Sequence, residues 1–139
     1  MSGGVTILLV GIIIIAAILV VVVALTRQGG KVLNVEKYQA RWLAIENSLD
    51  KSNIGTYQLA IFEADKLLDL ALRERGFAGD TMGERIKSAR EQWSNSNHVW
   101  GAHKVRNKLA HETNVRLSRE IALRALAAYK QGLKDLGAI

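Results

Sequence analysis

The sequence predicts an all-α protein: a single N-terminal transmembrane helix followed by a four- to five-helix up-and-down bundle. Three observations predict it. Residues 1–26 carry no charged side chain, while all 32 charged residues fall in 27–139. The chain of 139 residues contains no proline, where average usage would give about seven, so nothing interrupts long helices. Beyond residue 33, apolar residues recur every three to four positions, the helical period. The expected organisation is an anchor over 1–26, a linker over 27–33 and a helical domain over 34–139.

Val5 to Thr26 is 22 residues without a charge. As a helix it is about 33 Å long, enough for a hydrocarbon core of about 30 Å. Its many β-branched residues do not make it a strand, because a lone strand in lipid leaves its backbone groups unpaired. The leading Met1-Ser2-Gly3-Gly4 has no Lys or Arg, and the apolar run exceeds the usual signal-peptide length, so a retained anchor is expected rather than a cleaved signal. Arg27, Lys31, Lys37 and Arg41 follow the segment and nothing basic precedes it. The positive-inside rule then places the C-terminal domain in the cytoplasm, on a single-pass protein of the cell membrane. The segment has no ionisable residue for an ion path and no GxxxG pair for dimerisation.

Gly29-Gly30 marks the linker. The first bundle helix is expected over about 34–50, with Asn34 as N-cap and Val35, Tyr38, Trp42, Ile45 and Leu49 as its apolar stripe. Ser52-Asn53 breaks it and caps a second helix, about Ile54 to Arg75. There Tyr57, Ile61, Ala64, Leu68 and Ala71 share a face that Leu67 and Leu72 widen, as suits a central helix. Gly76 and Gly79 punctuate a loop. Thr81 and Glu84 stand at capping-box spacing and open a third helix, with Met82, Ile86, Ala89 and Trp93 on one side. A polar break at 94–97 precedes a fourth helix, about His98 to Thr113. The fifth runs from Ser118 to about Leu136, with Ile121, Ala125, Leu126, Tyr129, Leu133 and Leu136 inward and Gly137 after it. The count is four if the third and fourth merge. Short connections make the bundle up-and-down.

Composition narrows the chemistry. There is no cysteine, so there is no disulfide framework, thiolate metal site or cysteine nucleophile. No phosphate-binding loop of the G-x-x-x-x-G-K-[ST] type and no nucleophile elbow occurs. His103 and His111 are eight residues apart, about 12 Å along a helix, too far to share one metal. Neither a metal nor a cofactor is expected. Metal-free acid–base work on a phosphodiester remains: an imidazole moves the proton and a guanidinium holds phosphate oxygens. Arg106 and His111 supply that pair, with Asn107 between them and one helical turn from His111. The alternatives are ordinary: Arg106 as a solvated basic residue, and His111 as a cation at a helix C-terminus.

The string R-N-K-L-A-H, Arg106 to His111, resembles the R-x(4–6)-H motif of the HEPN superfamily, including the polar Asn after the Arg and its place in a penultimate helix. The resemblance extends over roughly 34–137 and implies a helical bundle that forms homodimers. For active members it implies a metal-independent endoribonuclease, in which His111 is acid/base on the ribose 2′-OH, Arg106 binds the scissile phosphate and Asn107 orients the pair. The chain departs from the toxin-type branch, which has Tyr two residues after the His, where Thr113 stands here.

Two further features bear on partners. Residues 85–119 hold eight basic and two acidic residues, so the net +6 of the whole chain is concentrated there. That draws phosphate to this segment, with Lys104, Lys108, Arg116 and Arg119 as candidate nucleic-acid contacts. Trp93 and Trp100 flank the polar break and read either as core or as base-stacking platforms. The row His103, Asn107, His111 also reads as a polar dimer seam. The functional expectation is a module binding RNA, nucleotide or a protein partner at the membrane, with the endoribonuclease as the alternative.

Overall fold

The computed structural model describes residues 3–26 and 30–139. It divides into two compact units, Met1–Gly30 and Lys31–Ile139. The first unit is α1, Gly3–Thr26, a helix of 24 residues. It is apolar on every side, and its large side chains from Val5 to Val23 are exposed. It is long and apolar enough to cross a membrane. Of the expected linker, residues 27–29 lie outside the described residues. Leu33, at its other end, is buried in the core of the second unit, so the helical unit begins earlier than the sequence suggests.

The second unit contains α2 (Val35–Asn47), α3 (Ile54–Glu74), α4 (Met82–Ser88), a short 3-10 turn (Arg90–Gln92), α5 (Ser96–His111) and α6 (Arg119–Asp135). All-helical architecture is thus established, with five α-helices after α1 and no strand among the described residues. Each helix opens on a side-chain cap. Asn34, Asn53, Asn95 and Ser118 accept hydrogen bonds from Lys37, Gly55, His98 and Ile121 backbone N–H groups. Thr81 and Glu84 form the full capping box. These caps satisfy backbone donors that the first turn leaves orphaned.

The third expected helix does not run through to Trp93. It stops at Ser88, turns through Arg90–Gln92, and Trp93 adopts an extended backbone. The reason is the indole. Trp93 is buried and its Nε1 donates to the Ile86 carbonyl at 2.9 Å, which requires the chain to double back instead of continuing the helical rise. The third and fourth helices are therefore separate. Two stripe residues also differ from expectation: Val35 and Ile121 are exposed, each lying at the start of its helix.

α3 is the central helix, packed against α2, α4, α5 and α6. Tyr57, Ile61, Ala64, Leu67, Leu68, Ala71 and Leu72 are all buried. α6 comes close because position 132 is glycine. A Cβ there would lie 3.3 Å from Leu68 Cδ1 and 3.5 Å from Val99 Cγ2, so the backbone of α6 rests directly on side chains of α3 and α5. Two polar ties close the bundle. Glu46 Oε1 accepts from Trp42 Nε1 at 2.8 Å and from Lys130 Nζ at 2.7 Å, joining α2 to α6. Arg75 Nη1 donates to the Leu136 carbonyl at 2.6 Å, joining the ends of α3 and α6.

Gly132→Leu forces a large side chain into this three-helix contact. Overpacking of this kind costs about 1–3 kcal/mol. Urea unfolding of the chain should show a lower midpoint with little change in slope; an unchanged midpoint would show that α6 can move away freely.

Candidate functional site: a cleft between α3, α4 and α5

α3 presents Asp65, Asp69 and Arg73 at successive i, i+4 positions, and α5 presents Trp100, His103 and Asn107 at i, i+3 and i+7. Each set shares one helix face. With α4 and the turn before it, these faces enclose an open cleft of about 580 Å³, which Arg106 also lines.

Asp65 sits on the apolar face of α3 and is only 4% exposed. A buried carboxylate must be matched by donors. Its Oδ1 accepts from the Tyr129 hydroxyl at 2.8 Å and meets His103 Nδ1 at 3.0 Å. Its Oδ2 stands 3.2 Å from Arg106 Nε. That nitrogen is buried and out of line for a hydrogen bond, so this contact is an ion pair without a formed N–H···O bond. Burial, then the adjacent Asp65 charge, push the Tyr129 hydroxyl well above the usual tyrosine range. Tyr129 therefore remains a proton donor.

The donor and acceptor roles in the network have only one consistent assignment. A guanidinium has donors and no acceptor. Arg106 Nη1 lies 3.1 Å from Asn107 Oδ1, so that amide oxygen faces the arginine. Asn107 Nδ2 then points at His103 Nε2, 3.3 Å away, which must accept. The imidazole proton is consequently on Nδ1, facing Asp65. The chain of roles runs Arg106 to Asn107 to His103 to Asp65, each group donating to the next. Arg106 also lies over the Phe62 ring, with Cζ 5.6 Å from the centroid, and its side chain is 30% exposed.

The second carboxylate on the α3 face is also neutralised. Asp69 receives Arg85 Nε at 2.7 Å and Nη2 at 3.0 Å, a bidentate pair. Arg73 Nε approaches it at 3.0 Å. Arg85 is buried, and its Nη1 donates to the Gly79 carbonyl at 2.7 Å, pinning the α3–α4 turn as one wall. On the same wall, a Cβ at Gly83 would stand 3.4 Å from Trp100 Cη2 and 3.9 Å from His103 Nε2. Glycine lets α4 come up against both rings.

The residues singled out in the sequence divide. Arg106 and Asn107 line the cleft. His111 is the last residue of α5, exposed, and lines none of the described cavities. Lys104 is exposed beside the cleft, with its ammonium 5.9 Å from the Trp100 ring. Lys108, Arg116 and Arg119 are exposed and outside the cleft lining. Trp93 belongs to the core, whereas Trp100 is half-buried and lines the cleft. Three members went unrecognised in these roles. Tyr129 reads as core, and His103 as part of a seam. Asp65 did carry a signal: it falls four residues after Ile61 and three before Leu68, a carboxylate inside an apolar stripe. Comparison with family models, curated proteins and solved structures gave no match to this chain.

Asp65→Asn turns one acceptor into a donor among Tyr129, His103 and Arg106. Leaving buried partners unsatisfied and a cation uncompensated costs about 3–5 kcal/mol; Tyr129→Phe removes one hydrogen bond and costs about 1–2 kcal/mol. Chemical denaturation of the two variants and their double mutant should give a non-additive pair. Additive losses would mean that the hydroxyl and carboxylate act independently.

Proposed function

We propose that the chain is a single-pass, membrane-anchored, HEPN-like helical module that faces the cytoplasm and holds a phosphate-bearing ligand, RNA or nucleotide, in the α3–α4–α5 cleft. The observation that carries this reading is the placement of Arg106. Asp65, Asn107 and the Phe62 ring fix its guanidinium at the cleft, and no hydrogen bond to protein occupies its Nη2 among the described residues. A pre-positioned guanidinium recognises phosphate oxygens with little ordering cost. Of the three lining carboxylates, Asp65 and Asp69 are paired with arginines and repel an anion little, while Asp80 is exposed to solvent. The surrounding segment 85–119 holds the chain's positive excess, which attracts anions over longer range.

Binding is favoured over cleavage. The endoribonuclease alternative needs Arg106 and His111 on one phosphodiester. On α5 they are five residues apart, about 7.5 Å along the axis and on different faces, and His111 lies outside the cleft. The homodimer that the HEPN resemblance implies would have to supply the missing half of such a site.

The test uses the full chain in lipid nanodiscs with a labelled single-stranded RNA in EDTA. The expected result is binding without cleavage. Arg106→Gln should weaken it at least about tenfold and reduce the slope of log affinity against log salt by about one phosphate contact. RNA affinity indifferent to Arg106→Gln would sink the reading. Cleavage lost in His111→Ala would establish the alternative instead. For the anchor, the membrane fraction should contain chain whose intact mass includes residues 1–26, with the helical unit protected from protease added outside the cell. A mass lacking those residues would mean that the segment is a removed signal.

A further inference from the structure

We propose that the ligand of the cleft is one unpaired nucleotide unit, with its base stacked on Trp100 and its phosphate on Arg106. The phosphate reading above is the premise; Trp100 adds the base.

Packing alone does not account for Trp100. The other two tryptophans are buried, and their indole N–H groups are satisfied: Trp42 donates to Glu46 at 2.8 Å and Trp93 to Ile86 at 2.9 Å. Trp100 is half-buried, and among the described residues its N–H donates to no protein group. It packs partly against the core and lines the cleft. A Cβ at Gly83 would stand 3.4 Å from Trp100 Cη2, and the His103 imidazole lies 5.9 Å away, tilted by 44°. Two ammonium groups lie over the ring, Lys87 Nζ at 5.4 Å and Lys104 Nζ at 5.9 Å from its centroid. An aromatic face flanked by mobile cations suits a base attached to a phosphate: the ring accepts the π-face, and the lysines swing toward the anion.

The spacing fits a single unit. Trp100 and Arg106 are six residues and about 9 Å of axial rise apart on α5, the scale of one base–ribose–phosphate. Although about 120° apart around the helix, both line the same cleft. Asp80 lines the cleft as an exposed carboxylate, suited to accept from ribose hydroxyls. The cleft volume of about 580 Å³ lies within the range of small-ligand sites. A free nucleotide and the splayed-out base of a single strand share this chemistry.

The experiment measures binding to the full chain in nanodiscs by calorimetry, with AMP, ribose 5-phosphate, single-stranded hexanucleotide RNA and a blunt RNA duplex as probes. AMP should bind more tightly than ribose 5-phosphate by about 5- to 100-fold, the range that one stacked base gives. Trp100→Leu should reduce that ratio to below about twofold; the helical circular-dichroism signal and the urea midpoint of the variant check its folding independently of any ligand. Trp100→Phe should restore most of the ratio. Arg106→Gln should weaken both ligands together. Competition of the hexanucleotide with AMP, with none from the duplex, identifies single strands as a source; failure of the hexanucleotide to compete identifies the free nucleotide. Equal affinity for AMP and ribose 5-phosphate, or a ratio that survives Trp100→Leu, overturns the stacking proposal and leaves phosphate binding at Arg106 standing. Absence of binding by all four probes overturns both.

Discussion

A carboxylate inside a helical bundle is a demand on its neighbours, and Asp65 makes that demand from the middle of the central helix. Its two oxygens meet a hydroxyl from α6 and an imidazole and a guanidinium from α5. Apolar packing between α3, α5 and α6 tolerates small rotations of each helix. Three polar contacts on one carboxylate do not, because a rotation that serves one donor withdraws another. The carboxylate therefore selects one register among the several that the apolar surfaces would allow. The orientation of Arg106 and the arrangement of the cleft follow from that register.

A similar economy governs charge. The acidic side chains of the α3 face are matched by arginines: Asp65 by Arg106, and Asp69 by Arg85 and Arg73. Matching Asp69 also has a mechanical result, since Arg85 is the same residue that holds the α3–α4 turn through Gly79. The cleft thus gains a fixed wall, and of its acidic lining Asp65 and Asp69 are compensated while Asp80 is exposed. The charged side chains of the lining are Lys66, Arg73, Arg85 and Arg106 against Asp65, Asp69 and Asp80.

Local signals in the sequence were legible where the physics is local. Asn34, Asn53, Thr81 with Glu84, and Ser118 announce helix starts because a cap depends on neighbours three or four residues away. The buried face of α3 is equally plain in its periodicity. The interruption before Trp93 was not, because nothing near residue 89 disfavours a helix; the indole's place in the core decides it. The cleft was half legible. Arg106 and Asn107 stand out as a motif, and the same motif directs attention to His111. The imidazole that joins them in the structure is His103, one turn earlier on the Asn107 face. Its pairing with Asp65, 38 residues away, and with Tyr129 on α6 depends on how three helices meet, and no spacing within one helix encodes that.

The one-way order of hydrogen bonds from Arg106 through Asn107 and His103 to Asp65 has a thermodynamic meaning. An anion that draws Arg106 Nη1 away from Asn107 Oδ1 leaves the amide carbonyl seeking another donor, and Asn107 is also what His103 Nε2 leans on. Occupancy of the cleft and the cohesion of α3, α5 and α6 are then linked functions. For a ligand bound there as proposed, whatever stiffens or loosens the helix junction would change affinity, and the ligand would in turn alter the stability of that junction. The bundle is in that sense its own reporter.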